Sequence, residues 1–61
     1  MKRKDFIDHI TKKGCVFIRE GGKHSVYKNP AKNKKTTIPR HNEIDDLLCK
    51  KICKQLEIPS I

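Results

Sequence analysis

The stretch Cys15-Val16-Phe17-Ile18-Arg19-Glu20-Gly21-Gly22-Lys23-His24-Ser25-Val26-Tyr27-Lys28 decides the fold. Residues 15 to 19 and 24 to 28 are rich in β-branched and aromatic side chains, and the segment between them holds a glycine pair. Such side chains suit a pleated, half-buried surface, and glycine accepts the positive φ that tight hairpin turns require. The stretch therefore predicts an antiparallel hairpin with Glu20-Gly21-Gly22-Lys23 as its loop. Alternation puts Ser25 and Tyr27 on one face of the second strand and His24 and Val26 on the other.

Upstream, residues 3 to 13 carry Phe6, Ile7 and Ile10 at helical spacing and end on Lys12 and Lys13. Gly14 follows where a left-handed cap belongs, so this segment predicts a first helix. Downstream, Asn29-Pro30 and a polar loop over 31 to 35 lead to Thr36-Thr37-Ile38, a third strand stopped by Pro39. From Asn42 a helix start is expected: a capping residue, then Glu43, Asp45 and Asp46 in the first turn, with Lys50, Lys51 and Lys54 towards the far end. Ile44, Leu47, Leu48, Ile52 and Leu56 then form one apolar stripe. The expectation is a single α+β domain over residues 1–61, ordered helix, three strands, helix. Both helices cover one face of a three-stranded antiparallel sheet and the other face meets solvent.

A chain of 61 residues has room for one small core. Its candidates are Phe6, Ile7, Ile10, Val16, Phe17, Ile18, Val26, Tyr27, Ile38, Ile44, Leu47, Leu48, Ile52 and Leu56, which leave little to line a deep small-molecule pocket. Fifteen Lys and Arg against seven Asp and Glu make the formal net charge +8, a balance that fits RNA or an acidic protein competing for the same surface. A membrane partner is not expected, because no apolar run approaches the roughly 18 residues that span a bilayer. Met1-Lys2-Arg3-Lys4 leads into an amphipathic segment instead of a signal-peptide core, so a cytoplasmic protein is expected. In that reducing compartment Cys15, Cys49 and Cys53 are read as packed thiols. No second His/Cys pair accompanies Cys49 and Cys53, and neither a metal nor another cofactor is expected.

RNA scission without a metal needs a base for the 2′-hydroxyl proton, an acid for the departing 5′-oxygen, and cations for charge developing on phosphate. His24, planted on a basic surface after the Gly21-Gly22 turn, is the candidate acid/base, since an imidazole transfers protons in both directions near neutrality. Lys23, Lys28 and Arg40 are candidate phosphate ligands, Ser25 a candidate orienting hydroxyl, and His41 a second titrating group in Pro39-Arg40-His41. Tyr27 reads as core or rim, and His9, on the polar side of the first helix, has no assigned role.

The landmarks in order are a short helix and glycine, the run Cys15 to Arg19, Gly22-x-His24, Tyr27, Asn29-Pro30, Thr37-Ile38-Pro39-Arg40-His41, and Ile52-Cys53-Lys54-Gln55-Leu56-x-Ile58. Their order and spacing resemble the HicA toxins, small mRNA interferases of type II toxin–antitoxin systems. The resemblance spans nearly the whole chain. It implies a fold similar to the double-stranded-RNA-binding domain, an endoribonuclease whose catalytic histidine corresponds to His24, and a HicB-type antitoxin as partner. Two positions depart from the family pattern: Lys23 stands where many members carry Ser, and Glu57 where many carry Gly. The second departure leaves the last helical turn without its usual cap, so fraying or extension towards Pro59 is expected. The alternative reading is a non-catalytic RNA-binding module using the same basic surface.

Overall fold

Phe6 and Ile10 lie one helical turn apart and both are fully buried, which orients α1 (Arg3–Lys12) with one face to the core. The computed structural model describes all residues from Met1 to Ile61, and the remaining elements are β1 (Val16–Gly21), β2 (His24–Asn29), β3 (Lys34–Pro39) and α2 (Asp46–Leu56). The strands form one antiparallel sheet in the order β1-β2-β3. Element order and sheet type are those expected.

Both helices end alike. After α1, Cys15 N–H donates to the Ile10 carbonyl (3.0 Å) and Gly14 N–H to Thr11 (3.0 Å), with Gly14 at φ 98°. After α2, Ile58 N–H donates to Cys53 (3.0 Å) and Glu57 N–H to Lys54 (3.1 Å), with Glu57 at φ 56°. These are paired Schellman bonds around a left-handed residue. The expected fraying or extension of α2 does not occur, because Glu57 adopts the left-handed conformation and satisfies the same carbonyls a glycine would.

The start of α2 differs from expectation by three residues. Asn42 is not its cap; Asp45 is, accepting from Leu48 N–H at 3.4 Å. Residues 42 to 44 are instead held extended against the chain start. Arg3 N–H donates to the Asn42 carbonyl (2.8 Å), Ile44 N–H to Met1 (2.8 Å), and the Met1 ammonium to the Ile44 carbonyl (2.9 Å). That ammonium also bonds Asp46 Oδ1 at 2.9 Å, which holds the Asp46 carboxyl below its usual range. Backbone groups satisfied in this way have no need of helix.

The shift changes the apolar stripe. Cys49, Ile52, Cys53 and Leu56 are buried on α2, while Leu47 and Leu48, expected in the core, fall in the first turn and face solvent. Val16, Phe17 and Ile18 are also exposed, contrary to expectation, because β1 is an edge strand and α2 packs against β3 at the opposite side of the sheet. Phe17 keeps an edge-on contact with the Tyr27 ring, centroids 5.6 Å apart. Phe6, Ile10, Cys15, Tyr27, Ile38 and Ile44 complete the core with the α2 stripe. The three thiols are packed as expected, and burial pushes each upward from its ordinary pKa. One buried polar side chain ties the layers together: Asn29 Nδ2 donates to the Leu56 carbonyl at 2.7 Å.

The hairpin loop is shorter than expected. Glu20 and Gly21 belong to β1, leaving Gly22 and Lys23 as a two-residue turn with φ 63° at Gly22, the glycine position of a type II′ hairpin. β3 likewise extends beyond the expected 36–38 to Lys34–Pro39.

Replacing Glu57 with Gly removes the left-handed penalty, about 1–2 kcal/mol for an L-residue, partly offset by the greater unfolded-state freedom of glycine. The exposed Lys34–Glu57 pair (3.6 Å) is lost but contributes little. Glu57→Gly is expected to raise stability by about 0.5–1 kcal/mol in urea titrations; an unchanged or lower midpoint contradicts the capping account.

Candidate functional site

His24 opens β2 immediately after the turn and pairs with Gly21 on one side and Pro39 on the other. Directly paired residues share a face, so the imidazole stands between a residue without a side chain and a compact ring, on the sheet face opposite Ser25, Tyr27 and Asn29. The helices cover that second face, and His24 is exposed on the open one. The alternation read from the sequence holds.

The register places two further cross-strand rows on His24's face. Val26 lies between Arg19 and Thr37, and Lys28 between Val16 and Lys35. The open face thus carries His24 and Arg19 at one end and two lysines at the other, with about 13 Å of strand between His24 and Lys28. Arg19 and Lys35 were not among the residues singled out from the sequence. Both were within reach of pattern reasoning: a two-residue Gly22-Lys23 turn pairs 21 with 24, 20 with 25 and 19 with 26, whereas a four-residue loop hides that register.

The Arg19 guanidinium folds back towards the turn. A methyl group built on Gly21 would stand 3.1 Å from Arg19 Nη1 and 3.7 Å from the His24 carbonyl oxygen. The missing Gly21 side chain therefore leaves the space that the guanidinium occupies beside His24.

On the covered face, a polar chain lies beneath the same end of the sheet. Arg3 donates through Nε to the Pro39 carbonyl (2.9 Å) and through Nη2 to Ser25 Oγ (2.8 Å). Ser25 Oγ donates to Glu20 Oε1 (2.7 Å), and Glu20 Oε2 pairs with Arg40 Nη1 (2.9 Å). Ser25, read from the sequence as a candidate orienting hydroxyl on the face opposite His24, is 1% exposed on that face, with its hydroxyl engaged by Arg3 and Glu20. Arg40 remains at the surface but is engaged by Glu20. Lys23 is exposed on the turn, and His41 is exposed in the segment between β3 and α2, two residues beyond Pro39, the β3 partner of His24. Gly22 shapes the turn, whereas Gly21 lies within β1.

The concave feature of the surface is a cleft of about 430 Å³ lined by Lys2, Arg3, Lys4, Asn42 and Glu43, none of them hydrophobic. The chain thus offers a proton-transfer group on an open, cation-bearing sheet and no apolar pocket, an arrangement suited to an extended polyanion.

A family model described as the HicA toxin of bacterial toxin–antitoxin matches residues 3–58. Searches of curated proteins and of solved structures found no match.

Ser25→Ala is expected to cost about 1–3 kcal/mol of stability, because Arg3 and Glu20 lose the hydroxyl they share. Urea denaturation measures it. Unchanged stability with weakened RNA binding would place the hydroxyl at the ligand instead.

Proposed function

This chain belongs to the HicA toxin family, and we propose that it acts as an mRNA interferase, a metal-independent endoribonuclease neutralised by a HicB-type antitoxin. The observation that carries the reading is His24, exposed on a sheet face that no helix covers and that Arg19, Lys28 and Lys35 make basic.

In this mechanism a 2′-oxygen attacks the adjacent phosphorus in line, forming the O2′–P bond as the P–O5′ bond breaks. His24 takes the 2′-hydroxyl proton as general base, and the imidazolium gives up a proton, through solvent, to the departing 5′-oxygen. The products are a 2′,3′-cyclic phosphate end and a 5′-hydroxyl end. Lys28 and Lys35 hold the strand through its phosphates, with Lys23 at the turn and Arg40 and His41 at the rim. No residue in this scheme requires a metal or a cofactor.

The antitoxin is an acidic protein that covers the same face, so antitoxin and RNA exclude one another. Messenger RNA as substrate places the activity in the cytoplasm. No helix is long and apolar enough to cross a membrane.

The test compares wild type with His24→Ala on a defined single-stranded RNA in excess chelator, with end mapping of the products. Because His24 is exposed, the substitution is expected to leave the urea midpoint unchanged while lowering the cleavage rate by about 10²- to 10⁴-fold. Cleavage by His24→Ala at the wild-type rate removes the histidine mechanism. Salt-sensitive binding by both proteins, with scission by neither, identifies a non-catalytic RNA-binding module.

A further inference from the structure

The chain has three arginines, and two of them are spent within the protein. Arg3 is bound to the Pro39 carbonyl and Ser25, and Arg40 is paired with Glu20. Arg19 has no such partner. The adjacent acid, Glu20, points to the covered face, where Ser25 and Arg40 occupy its two oxygens. An unpaired guanidinium with five N–H donors thus lies over Gly21, the cross-strand partner of His24.

We propose that Arg19 is the phosphate-binding residue of the His24 site, donating a forked pair of hydrogen bonds to the non-bridging oxygens of the RNA phosphodiester, and that Gly21 is glycine to leave the guanidinium its place. This rests on the reading of the open face as an RNA-cleaving surface. A planar fork matches two phosphate oxygens as an ammonium does not. As the 2′-oxygen adds to phosphorus, charge grows on those oxygens, and a donor pair already aimed at them binds the transition state more tightly than the ground state. Arg19 transfers no proton in this scheme; that remains with His24.

The position of Gly21 supplies the independent handle. Its φ is not in the left-handed region, so alanine is tolerated by the backbone. The added methyl would sit 3.1 Å from Nη1, and the flexible end of Arg19 must move away. Gly21→Ala should therefore weaken the site by displacing Arg19, and should have no effect once Arg19 is gone.

The experiment is a double-mutant cycle over Arg19→Ala and Gly21→Ala, with Arg19→Lys and Lys51→Ala on α2 as comparisons. It is read first as the salt dependence of binding to a non-cleavable 2′-O-methyl RNA and second as kcat and KM on cleavable RNA. For Arg19→Ala the log–log salt slope should fall by about 0.7, one single-stranded phosphate contact, and kcat should fall about 10²- to 10³-fold. Arg19→Lys should restore the slope but not kcat. Gly21→Ala should lower kcat in the wild-type background and leave it unchanged in the Arg19→Ala background. Binding cycles of that form support the phosphate contact whether or not wild type cleaves, so loss of the nuclease reading is seen separately. An Arg19→Ala slope and kcat matching those of Lys51→Ala overturn the proposal, as does full additivity of the two substitutions.

Discussion

The extra residue in β1 is the constraint on which the site depends. Phe17 and Arg19 are two residues apart, and unbroken alternation would place them on one face of the sheet. The register shifts between them: Phe17 pairs with Tyr27 and Arg19 with Val26, leaving Ile18 unmatched. This bulge lets the strand deliver an aromatic ring to the covered side at one end and a guanidinium to the open side at the other. Without it, the turn register that brings Arg19 to His24's face would carry Ile18 to Tyr27 and take Phe17 to the other face, away from the Tyr27 ring. The charge pattern of the open face and the contact that anchors the edge strand therefore share one local irregularity.

A small domain with few large apolar residues has to use polar groups as structure. Arg3, Ser25, Glu20 and Arg40 form a connected chain that joins α1, β2, β1 and the exit of β3. Each member is hydrogen-bonded, which is the condition under which part-buried polar groups hold elements in place. The same network explains why charges near His24 in sequence do not all share its face: Ser25 and Arg40 hold the Glu20 carboxylate on the opposite side of the sheet. Asn29 performs a similar service at the other end of β2, closing a carbonyl at the end of α2.

Membership of the HicA toxin family supplies the toxin–antitoxin context, and the structure adds a sheet face that carries His24, Arg19, Lys28 and Lys35. The apolar residues available here are consumed by the core, which leaves a surface of exposed polar side chains on the sheet and a cleft without hydrophobic lining.

Much of this was legible in the residues themselves. Helical spacing of Phe6 and Ile10, the β-rich runs around the glycine pair and the stop at Pro39 determined the order of elements. Strand alternation determined that His24 and Ser25 face opposite ways. These are local signals, carried by backbone preference and side-chain periodicity. What the tertiary structure decided are matters of competition between distant groups. Asn42 to Ile44 follow a good capping pattern, yet pairing with Met1 to Arg3 satisfies their backbone first and delays α2 to Asp46. Leu47 and Leu48 then stand exposed in the first turn, while Cys49, Ile52, Cys53 and Leu56 face the core. The bulge at Ile18, the engagement of Arg40 and the freedom of Arg19 likewise follow from pairing across strands, which no window along the chain contains.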